Sequence, residues 1–116
     1  MAETETHLEV RRPNDTTAVI AVRGELTGAT EAALMDAYGR ASDAVTRAVV
    51  LDFTDLEYMN STGIGLLVTL LVRAQRHRQR LLAFGLSEHY RQILGLTRLD
   101  EAIGVVDTEE DALRAG

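Results

Sequence analysis

Cysteine is absent from this 116-residue sequence, and proline occurs only once, at Pro13. The lack of cysteine excludes catalysis by a thiol and metal sites built on cysteine. No apolar run approaches the roughly 18 residues that a membrane-spanning helix needs, so we expect no membrane insertion. The formal net charge of −6 is unfavourable for binding nucleic acid. Residues 1–10 are acidic and polar and lack the apolar core of a signal peptide, which favours a cytoplasmic protein.

The sequence does contain a regular alternation of strand-like and helix-like segments. Strands are predicted at residues 7–11, 17–23, 48–53, 81–85 and 103–106, and long helices at about 30–44 and 62–77, with Ala33, Leu34, Ala37 and Ala41 on the inner face of the first. Shorter helices follow Ser87 and Thr108, and Gly95 is expected to end the first of these. A turn at 12–15 joins the first two strands as a hairpin, and residues 24–28 end the second strand. The prediction is a single α/β domain over residues 1–116, with a mixed sheet of four to five strands and about four helices.

Residues 51–72, LDFTDLEYMNSTGIGLLVTLLV, connect a buried strand to a long apolar helix through a polar turn at 52–57. Helical spacing places Ile64, Leu67, Val68 and Leu71 on one face, which we expect to be buried. Ser61 falls where the helix starts, and Asn, Ser and Thr are the residue types that satisfy the free N–H groups there. The sequence therefore predicts a hydroxyl displayed to solvent beside the positive end of a helix dipole.

A catalytic role for Ser61 would require a neighbouring base, usually histidine. At about 1.5 Å per helical residue, His77 is some 24 Å along the same helix, and no Gly-x-Ser-x-Gly motif is present. The other histidines, His7 and His89, cannot be placed from the sequence, and the three together match no zinc spacing. We therefore expect no enzyme activity, no metal and no cofactor.

Gly63 and Gly65 near the helix start do not form a phosphate-binding loop, because the lysine of a P-loop and the third glycine of a dinucleotide motif are missing. Such small residues allow another backbone to approach closely. Each glycine destabilises a helix by about 1 kcal/mol relative to alanine, so two of them need a reason. We interpret them as leaving space for a partner to approach the helix.

Two further features have alternative interpretations. The basic run at residues 73–80, RAQRHRQR, is either a contact for nucleic acid or an acidic partner, or a solvated helix end whose cations complement the helix dipole. Leu66 and Leu70 widen the apolar stripe of the central helix. A neighbouring helix covers them, or they form an exposed patch that binds a partner.

The segment 49–67, VVLDFTDLEYMNSTGIGLL, resembles the signature of the STAS domain family, and specifically of bacterial anti-sigma factor antagonists. That signature is an apolar strand ending in Asp, a turn, and Asp-Ser-Ser/Thr-Gly-hydrophobic-Gly. Gly24-Glu25-Leu26 resembles the family's Gly-x-Leu element, and residues 94–99, 103 and 107–112 resemble its C-terminal third. The resemblance covers nearly the whole chain and implies a STAS-like fold.

The resemblance implies that Ser61, or less favourably Thr62, is phosphorylated by an anti-sigma factor that is itself a serine kinase. The unphosphorylated form would bind this kinase and free a sigma factor, and a PP2C-type phosphatase would reverse the modification. The implied protein is a monomer or weak dimer. The implied partner surface comprises Glu25, Thr27, Asn60, Ser61, Thr62, Gly63, Ile64, Gly65 and Leu66.

Two residues differ from the family pattern. Asn60 stands where the family usually has Asp, and Thr27 stands where it often has Asp. Asn caps a helix but carries no charge and cannot act as a base. An alternative is therefore a STAS subunit that is not phosphorylated, either a signalling scaffold or an accessory subunit of a lipid-transport ATPase.

Overall fold

In the computed structural model, which describes residues 7–115, six strands and four α-helices alternate along the chain. The strands are β1 His7–Asn14, β2 Thr17–Leu26, β3 Ala48–Asp52, β4 Leu56–Met59, β5 Arg80–Phe84 and β6 Gly104–Val105. The helices are α1 Glu31–Ala41, α2 Ser61–Arg76, α3 Glu88–Leu96 and α4 Glu109–Ala115. Short 3-10 turns lie at Gly28–Thr30 and Leu99–Glu101.

The strands form a mixed sheet in the order β1-β2-β3-β5-β6, with β4 beside β2. Only the β1–β2 pair is antiparallel within the described residues, and the other pairs are parallel. The predicted α/β class and mixed sheet are confirmed. The sheet has one strand more than the four to five predicted, because β4 lies within and just after the segment assigned to a polar turn.

β2 changes partner halfway along its length. Residues 17–21 pair with β3, whereas Gly24, Glu25 and Leu26 pair with β4. The change occurs at Gly24, whose φ of 87° is open to glycine without steric strain. The Gly24 N–H donates to the Asp55 carbonyl (3.1 Å) in the turn before β4. This change of partner brings β4, and the start of α2 that follows it, beside the carboxyl end of β2.

The central strands are buried on both faces, which explains their nearly continuous apolar sequences. Ile20 of β2 belongs to the larger core, which includes residues of α1, α2 and α3. The adjacent Val19 belongs to a smaller core on the opposite face, with Phe84 and with Ala112 of α4. α1, α2 and α3 therefore pack on one face of the sheet, and α4 packs on the other.

The buried face of α2 is rotated relative to the prediction. Leu66, Leu67 and Leu70 are buried, whereas Val68, predicted to face the core, is 40% exposed. Ile64 and Leu71 are half-buried at the edge of the core. The apolar stripe of α2 is too wide for periodicity alone to orient the helix. The interpretation of Leu66 and Leu70 as an exposed patch is wrong.

Several predicted boundaries also need correction. β1 continues through Pro13 to Asn14, which an edge strand tolerates because its outer N–H groups have no ladder partner. β2 runs on to Leu26, and α1 ends at Ala41 with Ala33 exposed. Gly95 lies inside α3, which ends one residue later. The predicted cap at Thr108 is confirmed, since its hydroxyl accepts from the Asp111 N–H (3.1 Å).

A buried hydrogen-bond chain joins α1 to the segment after α2. The Tyr38 hydroxyl donates to Gln79 Oε1 (2.7 Å), and Gln79 Nε2 donates to Ser42 Oγ (2.8 Å). Tyr38 is 1% exposed and Gln79 7% exposed. Tyr38→Phe should lower the free energy of unfolding by about 1–3 kcal/mol, because it leaves the buried Gln79 oxygen without a donor. Denaturant unfolding measures this change, and Tyr58→Phe on the exposed face of β4 should have no effect; equal effects of the two variants would contradict the assignment.

Candidate functional site

Ser61 is the first residue of α2, and its side chain is exposed. The preceding residue, Asn60, caps the helix: its Oδ1 accepts from the Gly63 N–H (2.8 Å), and its carbonyl accepts from the Ile64 N–H (3.0 Å). The Asn60 N–H in turn donates to the carbonyl of Leu26 at the end of β2 (3.3 Å). The backbone next to Ser61 is therefore fixed to the sheet, and Ser61 itself is exposed, as the sequence predicted.

Gly63 sets how closely α2 approaches the sheet. A Cβ atom at this position would lie 2.1 Å from the Leu26 carbonyl oxygen and 2.9 Å from Met59 Cγ. The space that Gly63 leaves is therefore occupied by the chain itself, which corrects the interpretation that it is kept for a partner. Gly65, one half-turn further on, is exposed, and a Cβ there would meet nothing within 4 Å.

The loop after β2 lies beside the start of α2. Thr27 and Thr30 are joined by two hydrogen bonds: Thr30 Oγ1 accepts from the Thr27 N–H (3.0 Å) and donates to the Thr27 carbonyl (2.8 Å). The Thr27 hydroxyl in turn accepts from the Ala29 N–H (3.2 Å). A Cβ atom on the exposed Gly28 would lie 3.3 Å from Thr62 Cγ2. Gly28 and Ala29 were not predicted as site residues, because only the folded chain brings this loop against α2.

The structure divides the predicted partner surface into two groups. Gly63 and Leu66 are buried and lie where α2 meets the core, so their role as contact residues stays a prediction. The remaining residues are exposed or half-buried and lie at the ends of β2 and β4 and the start of α2: Glu25, Thr27, Asn60, Ser61, Thr62, Ile64 and Gly65. With Gly28 and Ala29 they form what we term the Ser61 surface.

The Ser61 surface is suited to presenting a hydroxyl rather than to activating it. Within residues 7–115, Ser61 Oγ has no hydrogen-bond partner. His77 follows the last residue of α2, so it lies at the opposite end of the helix. His7 bonds to Glu9 Oε2 (3.0 Å) on β1, and His89 contacts Tyr90 on α3. Ser61 is therefore an exposed hydroxyl with no histidine beside it among residues 7–115.

The family model described as "Mlab, STAS domain" matches residues 10–107. The chain belongs to the STAS domain family, which confirms the resemblance seen in the sequence. Among residues 7–115, no helix combines the length and the apolar composition needed to cross a bilayer.

Similar proteins include several anti-sigma factor antagonists. The anti-sigma-B factor antagonist of Listeria monocytogenes is 30% identical over 59 residues, covering 51% of this chain and 52% of that protein. The chain thus spans about half the length of the curated relatives it matches. The crystal structure of an anti-sigma factor antagonist from Mycobacterium paratuberculosis superposes with a TM-score of 0.82 at 25% identity, covering 98% of this chain and 96% of that one. The phosphorylated form of the Bacillus cell fate determinant SpoIIAA shares the fold, with a TM-score of 0.67 at 20% identity and coverage of 94% and 98%.

Proposed function

We propose that this protein is an anti-sigma factor antagonist that binds an anti-sigma factor through the Ser61 surface. The bound anti-sigma factor then no longer holds its sigma factor. Phosphorylation of Ser61 by that anti-sigma factor, acting as a serine kinase, ends the interaction, and a PP2C-type phosphatase restores it. The observation that carries the proposal is the exposed, unbonded hydroxyl of Ser61 on a backbone that is fixed to the sheet.

The local structure also supports the choice of Ser61 over its neighbour. Ser61 occupies the first helical position, where the helix dipole stabilises added negative charge. Thr62 is also exposed, but its methyl group lies beside Gly28 of the neighbouring loop. A kinase site must surround the acceptor oxygen, and the loop at Gly28 lies beside Thr62.

Asn60 retains the capping role that an aspartate would have at this position, since its Oδ1 accepts from the Gly63 N–H. Asn60 lacks only the negative charge of aspartate. A neutral cap leaves the positive end of the α2 dipole uncompensated until a phosphate is attached.

Intact-mass spectrometry tests the proposal. The protein is incubated with ATP and each anti-sigma factor kinase encoded in the same genome. We expect one kinase to add the mass of a single phosphate, and we expect Ser61→Ala to abolish this addition while Thr62→Ala retains it. Loss of the phosphate in Thr62→Ala but not in Ser61→Ala would contradict the assignment of the acceptor.

Asn60 also favours a second candidate, a STAS interaction subunit that is never phosphorylated, as a signalling scaffold or an accessory subunit of a lipid-transport ATPase. This candidate predicts that no kinase changes the mass of the protein. It also predicts that the natural protein and Asn60→Asp bind the partner with equal affinity. If Asn60→Asp is phosphorylated and the natural protein is not, the result would support this candidate for the natural sequence.

A further inference from the structure

All twelve basic side chains of the chain are arginines, and they fall into two groups. Seven lie within 4.0 Å of a carboxylate: Arg11, Arg12, Arg23, Arg40, Arg91, Arg98 and Arg114. The other five have no carboxylate at that distance within residues 7–115: Arg47, Arg73, Arg76, Arg78 and Arg80. These five lie together at the end of α2 and the adjacent starts of β3 and β5, and we term them the arginine pole. The arginines without a carboxylate partner are thus clustered at one end of α2 in an otherwise acidic protein.

Local contacts account for part of the arginine pole. The Arg73 guanidinium lies 5.4 Å from the centre of the Tyr38 ring, and Arg80 donates to the Ala115 carbonyl. Arg73 and Arg76 also lie in the last turn of α2, where the helix dipole stabilises cations. Arg47 belongs to no helix, and neither the dipole nor a carboxylate accounts for its position.

Arg47 and Arg78 line the same surface pocket, together with His77. The pocket has a volume of about 390 Å³, and its remaining walls are Thr16, Ala44, Val45 and Thr46. Hydrogen bonds fix the main chain at both arginines: the Arg47 N–H donates to the Thr16 carbonyl (2.7 Å), and the Arg78 N–H to the Gln75 carbonyl (3.1 Å). Small-molecule sites have volumes of about 300–1,000 Å³, so the pocket is large enough for a small ligand.

Arg78 occupies a backbone position that usually belongs to glycine. Its φ is 59°, in the left-handed region. The Gln79 N–H donates to the Ala74 carbonyl (2.8 Å), which is the hydrogen bond expected where a left-handed residue ends a helix. Arg98 has the same left-handed conformation after α3 (φ 63°), but it is paired with Glu101 (3.9 Å). Arg98 is therefore a matched control for Arg78: both residues are left-handed after a helix, but only Arg98 has a carboxylate partner.

We propose that the pocket lined by Arg47, His77 and Arg78 binds a small phosphate-bearing anion. Guanidinium groups donate paired hydrogen bonds to phosphate oxygens, and two arginines that line one pocket favour a multiply charged ligand. The nearby Asp43 does not cancel this charge, because it is already paired with Arg12 (3.1 Å) and accepts from the Val45 and Thr46 N–H groups. A pocket of about 390 Å³ suits a small anion rather than nucleic acid.

This second site lies at the opposite end of α2 from Ser61. The 16 residues of α2 separate them by about 24 Å, at roughly 1.5 Å per residue. Binding of the anion therefore needs neither phosphorylation of Ser61 nor an anti-sigma factor. The inference goes beyond the proposed function and can be tested independently of it.

Titration of the isotope-labelled protein with sodium pyrophosphate at low ionic strength, followed by amide NMR shifts, tests the proposal. We expect saturable shifts at residues 44–47 and 77–79. Arg47→Gln and Arg78→Gly should each weaken binding about tenfold, because each removes a charge-assisted contact. Arg78→Gly should also raise the thermal midpoint, because glycine relieves the left-handed conformation.

Arg98→Gly is the matched control, since it should raise the midpoint similarly without changing the affinity for pyrophosphate. The proposal would be overturned by the absence of saturable shifts, or by identical shifts with sodium chloride at equal ionic strength. An Arg98→Gly variant that weakens binding as much as Arg78→Gly would also overturn it, because the effect would then come from net charge.

Discussion

Ser61→Asp is expected to keep the native fold and to lose about a thousandfold in affinity for the anti-sigma factor. The fold should persist because Ser61 is exposed at the start of α2, where negative charge is stabilising by about 0.3–1 kcal/mol. The complex should weaken because like charges 4 Å apart repel by about 4 kcal/mol at an effective dielectric of 20. Each 1.4 kcal/mol changes affinity roughly tenfold, so the effect on binding greatly exceeds the effect on stability.

Titration calorimetry with the cognate anti-sigma factor measures the affinity, and circular dichroism checks the fold. Ser61→Ala is the matched control, because it removes the hydroxyl without adding charge and should bind constitutively. Equal affinities for the two variants, or an unfolded Ser61→Asp protein, would contradict the proposed switch.

Gly63→Ala is expected to lower the free energy of unfolding by about 3 kcal/mol or more. The added methyl group would lie 2.1 Å from the Leu26 carbonyl oxygen, and backbone atoms cannot move aside as a flexible side chain can. α2 would have to shift away from the end of β2, which would also lengthen the Asn60–Leu26 hydrogen bond. A loss of this size is a large part of the 5–15 kcal/mol that typically separates folded from unfolded domains.

Gly65→Ala provides the control on the same helix. Gly65 is exposed with open space around its Cα, so alanine should raise the stability by about 0.5–1 kcal/mol through its helix propensity. Denaturant unfolding of both variants should give changes of opposite sign. Stabilisation by Gly63→Ala would show that α2 does not pack against Leu26 in this way.

The features that the sequence predicts well depend on local patterns. Apolar runs locate β2, β3 and β5, and the change from a strand to a helical period locates the start of α2. Ser61 could be placed at that start because helix-capping residues act within a single turn. The hydroxyl side chain at the candidate site was therefore identifiable before any tertiary contact was known.

The features that the sequence did not predict depend on contacts between distant segments. β4 is only four residues long, and it forms because Gly24 redirects the end of β2 toward it. The rotation of α2 is set by the contact between Gly63 and Leu26, 37 positions apart in the numbering of the chain. No periodicity in either segment contains that information.

The arginine pole also depends on contacts between distant segments, so the sequence alone does not predict it. The sequence shows a basic run at residues 73–80, but it cannot show that Arg47 joins this run in space. It also cannot show that the arginines elsewhere are neutralised, as Arg11 is by Glu109 on α4. Only the folded arrangement distinguishes the arginine pole from a solvated helix end.

The most direct test compares the phosphorylated and unphosphorylated forms of the natural protein. Stoichiometrically phosphorylated protein is prepared with its kinase, and its affinity for the anti-sigma factor and its thermal midpoint are measured beside those of the unmodified protein. If the single modified hydroxyl controls the complex and not the fold, the affinity falls by about three orders of magnitude or more, because phosphate carries more charge than aspartate. The thermal midpoint stays nearly unchanged. Unchanged affinity, or a collapse of the midpoint, would contradict that account.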